Sequence, residues 1–395
     1  MLAAMNALFD PVRLGPLTLK NRTIRAAAFE GMSPGHEVTD ALIGYHRAVA
    51  EGGVGMSTVA YAAVEQSGLA FGHQLWLRRE AMPGLRRLTD AIHAGGAKAS
   101  IQLGHCGNMA QRATAGGRAI APSAKFNLYG PVWPRAMDAD DIARVTRSFG
   151  EAVRIARDSG FDAVEVHAGH GYLISQFLSP FTNRRRDAYG GSVDHRLRFL
   201  REVMAEVRQA AEGLAVVVKT NLRDGFPGGM ELEEGVQVAR ALEEAGADAL
   251  VLSGGFVSRA PMYLMRGDTI APELSRRMKP WWMRMFLGAF GGLLIPAVKF
   301  EDHYFLEDAC VVREAVKLPL IYVGGVSSRQ AADEVLARGF DAIALARALI
   351  REPDFVNRLR REEPGESRCD HCNSCAARIY TTSMGCHHLL GKDAP

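Results

Sequence analysis

Two histidines and a tyrosine, His167, His170 and Tyr172, lie within a stretch of six residues. A short apolar run from Ala163 to Val166 leads directly into this group. Imidazole and phenol side chains are among those that proteins use to hold or move a proton. A single histidine beside such a run is often only a hydrogen-bonded core residue. Two histidines three positions apart, with a tyrosine and glycines around them, favour a functional site.

The run before the histidines has the pattern of a buried strand. Successive side chains in a strand point to opposite faces. Val164 and Val166 therefore face one way, and Glu165 and His167 face the other. The pattern predicts that an acid and an imidazole lie on the same side of this strand, close to its end.

The elements that must position these residues form a repeated strand-then-helix pattern. Eight apolar runs alternate with amphipathic segments, which predicts a parallel eight-stranded (β/α)8 TIM barrel. A doubly wound open sheet is the alternative fold, but no Gly-x-Gly-x-x-Gly turn follows the first run. The eight predicted strands are Thr23–Ala27, Gly55–Ala60, Ala97–Leu103, Asp162–His167, Ala215–Thr220, Asp248–Ser253, Pro319–Val323 and Asp341–Ala346.

Polar residues lie on one face of two further predicted strands. Ser100 and Gln102 share a face in the third strand, and Lys219 shares a face with Asn221 in the fifth. Strands buried under helices are usually apolar on both faces. Polar side chains near the ends of such strands indicate a site at the C-terminal mouth of the barrel, where these enzymes carry their chemistry.

Composition excludes several other classes of protein. The chain has 395 residues with 47 Lys and Arg against 44 Asp and Glu, a net charge of +3, which is too balanced to predict a nucleic-acid partner. The first residues do not resemble a signal peptide. No apolar stretch reaches the ~18 residues of a membrane span. We therefore expect a cytoplasmic protein with a small-molecule substrate. Composition leaves open whether its partner is a second copy of the chain, in a homo-oligomer, or an electron donor.

Two segments interrupt the repeat. The predicted barrel domain spans residues 1–364, with an insert at 256–306 that is too long for a plain loop. The insert is rich in Trp, Met and Phe, which is typical of a lid or a membrane-surface contact, but equally of a packed excursion or a dimer contact. A cysteine-rich tail at 365–395 forms the second predicted domain.

The tail carries a strong metal-binding pattern. Three cysteines, Cys369, Cys372 and Cys375, follow one another at two-residue spacing, and Cys386 provides a fourth ligand. Such a set holds either an iron–sulfur cluster or zinc. Zinc would also accept the imidazoles of the tail as ligands, and free or redox-active thiols are the third alternative. The three histidines in question are His371, His387 and His388.

Collinear motifs over residues 8–359 resemble the old yellow enzyme family of FMN-dependent NADH:flavin oxidoreductases and ene-reductases. The cysteine tail is similar to the [4Fe–4S] segment of the dienoyl-CoA reductase and trimethylamine dehydrogenase branch. The motifs are Leu8-Phe9-Asp10-Pro11, Leu17-Thr18-Leu19-Lys20-Asn21-Arg22, Ile101-Gln102-Leu103-Gly104-His105-Cys106-Gly107, Ala121-Pro122-Ser123, His167-Ala168-Gly169-His170-Gly171-Tyr172, Asn183-Arg184, Gly324-Gly325 and Ala346-Arg347-Ala348-Leu349-Ile350.

The resemblance implies an FMN phosphate site after the last two strands. Gly324 and Gly325 follow the seventh strand, and Ala346 and Arg347 follow the eighth. Loops at these positions of a barrel hold phosphate through backbone N–H groups and a helix N-terminus. The Arg347 guanidinium would add a charge-assisted contact.

The resemblance also implies contacts to the flavin ring. Gln102 would pair with its pyrimidine edge, and Lys219 would place a cation near N1 and the C2 carbonyl. Ala27, Ala28 and Phe29 would lie beside the ring, where the family commonly has Pro-Met followed by Thr or Cys. Phe29 would then also narrow the substrate pocket.

The catalytic roles implied by the resemblance fall on the residues of the opening motif. His167 and His170 would bind the carbonyl oxygen of an α,β-unsaturated substrate, and Tyr172 would protonate its α-carbon. NADH or NADPH would reduce the FMN in the same pocket. The alternatives are a flavin-dependent dehydrogenase or demethylase, or an electron-transfer flavoprotein coupled to a [4Fe–4S] cluster.

Overall fold

Eight parallel strands close into a barrel in the computed structural model, which describes residues 7–127, 132–278, 281–361, 363 and 365–390. The strands are β1 Val12–Leu14, β2 Leu17–Leu19, β3 Thr23–Arg25, β4 Met56–Ala63, β5 Lys98–Gly104, β6 Ile120–Ala121, β7 Arg135–Ala136, β8 Ala163–Ala168, β9 Ala215–Asn221, β10 Ala249–Ser253, β11 Leu320–Tyr322 and β12 Ala342–Leu345. The order around the barrel is β10-β11-β12-β3-β4-β5-β8-β9.

Helices cover the outside of the barrel. The α-helices are α1 Asp40–Glu51, α2 Met82–Ala94, α3 Arg112–Ala115, α4 Ala139–Asp158, α5 Leu173–Leu178, α6 Val193–Ala210, α7 Leu232–Glu244, α8 Pro261–Leu264, α9 Ala271–Arg277, α10 Trp281–Leu294, α11 Leu306–Ala315, α12 Arg329–Ala337, α13 Arg347–Arg351, α14 Phe355–Arg360, α15 Ser374–Arg378 and α16 His387–Leu390. The predicted TIM barrel is confirmed, and its eight predicted strands are the eight strands of the closed sheet.

Three connections from a helix to the next barrel strand share the same Gly-x-Asp sequence and conformation. A glycine in the left-handed conformation ends each helix, at Gly160, Gly246 and Gly339, with φ of +87°, +80° and +85°. Two residues later an aspartate accepts a backbone N–H of the preceding barrel strand. Asp162 Oδ2 lies 2.8 Å from Ala99 N, for example. The repeated Gly-x-Asp sequence therefore both ends a helix and fixes the entry into a strand.

The interior of the barrel is apolar at its N-terminal end and polar at its mouth. Small side chains such as Ala163 and Ala249 line the lower interior. The hairpin of β1 and β2 packs its leucines against them, so it closes the bottom of the barrel. Val164 and Val166 pack in the layer between strands and helices, as the alternation predicts.

The insert after β10 contains α8, α9 and α10. It packs on the tail segment through a small buried cluster that includes Met262, Ile270 and Ala377. The side chains of α10 are mostly exposed. Residues 279–280 of the insert, the predicted domain boundary at residue 364 and the last five residues of the tail lie outside the described residues. No helix in the described part of the chain is long and apolar enough to cross a membrane.

Candidate active site

A buried polar cluster lies on three neighbouring strands at the mouth of the barrel. The register pairs Gln102 of β5 with Glu165 of β8, and β9 brings Lys219 to the same place. Glu165 Oε1 accepts hydrogen bonds from Gln102 Nε2 at 2.6 Å and from Lys219 Nζ at 2.8 Å. All three side chains are almost fully buried. The carboxylate therefore neutralises the lysine and fixes the amide in place.

His167 follows Glu165 on the same face of β8. Its side chain is buried, and within the described part of the chain its Nδ1 has no hydrogen-bond partner. Burial, and then the charges of His170 and Lys219, lower the pKa of His167 well below its usual value. The residue is thus a neutral imidazole with one nitrogen free for a ligand.

His170 is held in an uncommon backbone conformation. Its φ is +59°, in the left-handed region that glycine adopts most easily. Its N–H donates to Asn221 Oδ1 at 3.0 Å, and its carbonyl accepts from Val257 N at 3.0 Å. The ring Nε2 lies 2.8 Å from Ser253 Oγ. Burial, and then Lys219, lower the pKa of His170 to about 3, so this imidazole is also neutral.

Aromatic rings form a continuous wall beside the two histidines. Tyr172 lies 4.5 Å from His167 and 4.8 Å from Tyr61, measured between ring centroids. Tyr61 contacts Phe29 at 6.2 Å, and Phe29 stacks on Phe71 at 5.2 Å. Burial raises the pKa of Tyr172, so the phenol keeps its proton at neutral pH. The structure thus brings Phe29 and Tyr172 to the same side of the mouth.

The loop that carries Ala27, Ala28 and Phe29 is fixed by an ion pair beneath it. Arg25 donates to the Ala28 carbonyl at 2.7 Å and pairs with Glu30 at 2.6 Å. Burial opposes ionisation of Glu30, but Arg25 and His46 outweigh it and lower the pKa of this carboxyl. Both charged side chains are buried. The loop is therefore anchored at both ends by the same salt bridge.

The residues predicted to bind the phosphate follow two adjacent strands. Gly324 and Gly325 follow β11, and Ala346 and Arg347 follow β12, which pairs with it. Both glycines have positive φ, +141° and +74°. The Arg347 guanidinium donates to Asn373 Oδ1 at 2.7 Å and to the carbonyl of a residue in the insert. Arg347 thus reaches towards the tail, and its phosphate contact stays a prediction.

The donor set fits an FMN molecule. A buried amide and a buried cation, Gln102 and Lys219, suit the polar edge of the flavin ring. The free Nδ1 of His167 lies on the same face of the barrel mouth. Two neighbouring strand ends, one followed by two glycines and the other by Arg347, suit a phosphate. FMN would be held between these groups when it is bound.

The cysteine tail packs against the mouth of the barrel. Ile379 accepts a hydrogen bond from His73 Nε2 at 2.9 Å, and the Tyr380 ring lies 6.0 Å from Phe71. Cys369, Cys372, Cys375 and Cys386 are all partly buried free thiols.

The metal-binding prediction for the tail is not decided by these contacts. Among the described residues, one group of three possible metal ligands has its donor atoms within 4.8 Å of one another. The group is Asp370, His387 and His388, and it contains no cysteine. Cys372 Sγ lies 3.5 Å from His387 Nδ1, and His371 stacks on Phe300 at 3.4 Å. The cysteine ligand set therefore stays a prediction.

Sequence reasoning did not identify several residues that support the site. Alternation along the strand predicted that Glu165 points inward. That it accepts hydrogen bonds from both Gln102 and Lys219 depends on the strand register, which the sequence does not show. Tyr61 and Ser253 lie near or at strand ends, where alternation could have found them as it found Asn221. The Arg25–Glu30 pair spans a loop, and no short pattern in the sequence signals it.

Comparisons with known proteins agree with this site. The profile of the NADH:flavin oxidoreductase / NADH oxidase family matches residues 7–260. A 4,4'-dithiodibutanoate disulfide reductase of Rhodococcus erythropolis is 41% identical over 95% of this chain and 93% of its own. An NADH oxidase of Thermoanaerobacter brockii is 31% identical over 93% of this chain, which spans 52% of that protein.

A solved structure extends the likeness to the fold. The old yellow enzyme homologue of Zymomonas mobilis superimposes with a TM-score of 0.73 at 25% identity, over 92% of this chain and 95% of that one. The matched profile covers β3 to β10 and therefore all the residues of the histidine and Gln102–Glu165–Lys219 groups. The chain belongs to the NADH:flavin oxidoreductase / NADH oxidase family, the old yellow enzyme family of FMN-dependent NAD(P)H oxidoreductases.

Proposed function

We propose that the protein reduces the activated C=C bond of an α,β-unsaturated carbonyl compound. The observation that carries the proposal is the convergence of two neutral histidines and a protonated tyrosine beside the Gln102–Glu165–Lys219 cluster. FMN, when bound and reduced by NADH or NADPH, supplies a hydride to the β-carbon of the substrate.

The chain's own residues bind and polarise the substrate. His167 and His170 donate hydrogen bonds to the carbonyl oxygen, on which negative charge develops during the reaction. Donors preorganised in this way are worth about 3 kcal/mol each in the transition state. Ser253 and Asn221 hold His170 in position. Because both imidazoles are neutral, neither must lose a proton to act.

Tyr172 completes the reduction by donating a proton to the α-carbon. The hydride and this proton together convert the C=C bond into a C–C single bond. The raised pKa of Tyr172 keeps the phenol protonated until the α-carbon gains negative charge. Tyr61 and Phe29 pack beside it and exclude water from this side of the pocket.

The experiment follows flavin absorbance without oxygen. NADH or NADPH first bleaches the flavin of the purified protein, and 2-cyclohexenone is then added. The proposal requires the enone to restore the absorbance. The variant His167→Ala/His170→Ala should still bind FMN but lose reoxidation by at least about 100-fold. Reoxidation at the wild-type rate would remove the histidines from the mechanism.

Reduction of a disulfide is a second candidate. The observation that favours it is the 41% identity, over nearly the whole of both chains, to 4,4'-dithiodibutanoate disulfide reductase. In that reaction a hydride breaks the S–S bond, one sulfur keeps the hydride as a thiol, and the other leaves as a thiolate that Tyr172 protonates. The disulfide has no carbonyl for the histidines to bind at the reacting centre.

The two candidates respond differently to the same variants. The reduced enzyme is offered 2-cyclohexenone or 4,4'-dithiodibutanoate in parallel. Tyr172→Phe should slow both acceptors, whereas His167→Ala/His170→Ala should slow the enone far more than the disulfide. Turnover of the disulfide alone by the wild-type protein would replace the first candidate with the second.

We also propose that Cys369, Cys372, Cys375 and Cys386 bind a [4Fe–4S] cluster, with zinc as the alternative. The support is the cysteine spacing together with the packing of the tail close to the barrel mouth. An electron-donor partner would then deliver electrons through the tail. Iron, sulfide and zinc are measured in protein purified without oxygen. A sample that contains zinc and no iron would disprove the cluster.

A further inference from the structure

A small pocket opens beside the loop that carries the histidines. Its volume is about 40 Å³, and its walls include Asn108, Lys125, Phe181, Thr182 and Arg259. One water molecule needs roughly 10–15 Å³ of such volume, so the pocket has room for a small group of a few atoms. None of these residues has a role in the proposed hydride transfer.

Two cations, Lys125 and Arg259, line this pocket. Lys125 Nζ donates to the Phe181 carbonyl at 2.8 Å, and the Arg259 guanidinium lies 4.9 Å from the Phe181 ring centroid. Burial, and then Arg184 and Arg259, lower the pKa of Lys125 to about 8. Among the described residues, the charged groups that act on Lys125 are these two arginines, and no carboxylate is one of them. Residues 128–131, outside the described part, are Leu, Tyr, Gly and Pro, so they add no acid.

Hydrogen bonds connect both walls of the pocket to the candidate active site. Gln176 Oε1 accepts from Asn108 N at 3.0 Å, and Gln176 Nε2 donates to the Gly171 carbonyl at 2.7 Å. On the other wall, Arg259 N donates to the Phe256 carbonyl at 2.9 Å. The next residue along, Val257, donates to the His170 carbonyl. Both walls of the pocket are therefore joined by hydrogen bonds to the loop that carries His170.

We propose that this pocket binds an anionic oxygen group of a reactant, and that the group is a carboxylate on the acceptor. The proposal rests on the proposed reduction of an acceptor at the histidine pair. Lys125 and Arg259 would donate charge-assisted hydrogen bonds to the anion. The phosphate of a nicotinamide dinucleotide carries the same kind of oxygen and is the other source of the anion.

The first test compares an acid with its ester. The FMN-loaded wild-type enzyme and the variants Lys125→Gln and Arg259→Gln are assayed with trans-4-oxo-2-pentenoate and with its methyl ester. Loss of one charge-assisted hydrogen bond should raise the KM for the acid about 10- to 100-fold. The KM for the ester should change much less. Equal changes for acid and ester would overturn the assignment to the acceptor.

A matched control removes a cation at the opposite end of the barrel. Lys317 is exposed and lies just before β11, so Lys317→Gln makes the same change in net charge far from the mouth. This variant should leave both KM values at the wild-type level. A rise in the KM for the acid in Lys317→Gln would mean that overall charge, and not the pocket, selects the acid.

Further measurements identify the source of the anion and separate this proposal from the proposed function. Calorimetry with 4-oxopentanoate, the saturated keto acid, reports binding without turnover. Loss of its binding in the variants supports the pocket even if no enone is reduced by the wild-type enzyme. Flavin reduction is then measured with NADPH and NADH. A selective loss with NADPH assigns the pocket to the nucleotide phosphate, and an unchanged response in every assay overturns the anion site.

Helix α10 has an exposed apolar surface, which is independent of the cation pocket. Its large apolar side chains face solvent, with Trp281 71%, Met285 67% and Leu293 82% exposed. Within the helix only Gly291 is buried, where it packs against Ala271 of α9. Exposed apolar patches of this kind mark a surface that another apolar surface covers.

Basic side chains outnumber acidic ones around α10. Residues 273–301 contain five basic and two acidic side chains. Glu273 pairs with Arg276 and Arg277, and Glu301 pairs with Lys299. The helix has 14 residues, a length of about 21 Å, which is shorter than the ~30 Å hydrocarbon core of a bilayer. A helix with Trp, Phe and Leu side chains and flanking basic residues binds in the plane of a membrane surface. The basic residues are Arg276, Arg277, Lys279, Arg284 and Lys299.

We infer that α10 docks on an anionic lipid surface. The charge complementarity favours a lipid partner, since the excess of basic over acidic side chains would repel the same surface on a second copy of this chain. Docking would place the insert, and the tail that packs on it, against the bilayer.

The test measures co-sedimentation with vesicles. The full-length protein should bind vesicles of phosphatidylglycerol and phosphatidylcholine, and bind pure phosphatidylcholine at least tenfold more weakly. Phe286→Glu/Phe290→Glu changes two exposed side chains and should abolish binding, whereas Val311→Glu, on an exposed position of α11, should not. Light scattering reports self-association. No binding to anionic vesicles, or a dimer that the double variant dissociates, would overturn the inference.

Discussion

At the scale of single residues, the two histidines are uncharged because they are buried beside a cation. Burial, and then Lys219, lower the pKa of His170 to about 3, and the pKa of His167 is also well below its usual value. A lowered pKa means that the neutral form persists as the pH falls past 6.5. The donors of the proposed oxyanion contact are therefore the same from pH 5 to pH 8.

The neutral state of both histidines predicts that the rate at which a neutral enone reoxidises the flavin does not change with pH around the usual pKa of histidine. Stopped-flow mixing of the reduced enzyme with 2-cyclohexenone is repeated from pH 5 to pH 8. The observed rate constant should show no break near pH 6.5. A tenfold change per pH unit around that value would mean that one imidazole is charged in the working enzyme.

The residues around the two histidines show what the alternation of side chains along a strand can predict and what it cannot. Alternation and strand position predicted that Gln102, His167 and Lys219 face inward near strand ends, because side-chain direction in a strand depends only on local geometry. The shared bond to Glu165 depends on how β5, β8 and β9 are staggered around the barrel. Register is set by contacts between distant parts of the chain, so a single sequence does not display it.

At the scale of elements, the loop after β3 depends on a buried ion pair. Arg25 and Glu30 are both almost fully buried, and Arg25 also binds the Ala28 carbonyl. Removing one partner of such a pair leaves the other charge buried and unpaired, which costs about 3–5 kcal/mol. The position of Phe29 follows from this pair, because Phe29 lies between the two anchored residues.

Glu30→Gln should therefore lower the free energy of unfolding by about 3–5 kcal/mol. The control is Glu37→Gln, seven residues further on, whose partner Arg78 is much more exposed. A surface pair contributes about 0–1 kcal/mol, so the control should stay close to wild type. Urea unfolding of both variants gives the comparison. Equal stability of the two would show that Arg25 finds another partner.

The repeated Gly-x-Asp sequence made the starts of three strands predictable. Its glycine ends a helix and its aspartate fixes the entry into the next strand, and both residues lie in one short connection. No such sequence occurs in the insert or in residues 365–390 of the tail. Their packing on each other joins residues more than 100 positions apart, such as Asn373 and Met265. The sequence therefore predicted the barrel in detail, but for the insert only its length and apolar character.

At the scale of the whole molecule, Asn373 connects barrel, insert and tail. Its side chain donates to the carbonyls of Met265 and Asp268 at 2.6 and 2.9 Å and accepts from Arg347 at 2.7 Å. The residue is buried, with φ of +57°, a left-handed conformation that asparagine adopts more readily than most residues. One side chain thus holds three parts of the molecule together.

Asn373→Ala should loosen the tail and the insert together while the barrel stays folded. Each lost hydrogen bond costs about 1 kcal/mol, and alanine fits the left-handed backbone less well than asparagine. Hydrogen exchange should become faster in residues 365–390 and in α9, with no change in β8 and β9. Thr381→Ala, also in the tail but at an exposed position, is the control. If exchange in the tail rises and α9 stays protected, the two segments are not coupled through this residue, and the barrel binds each of them separately.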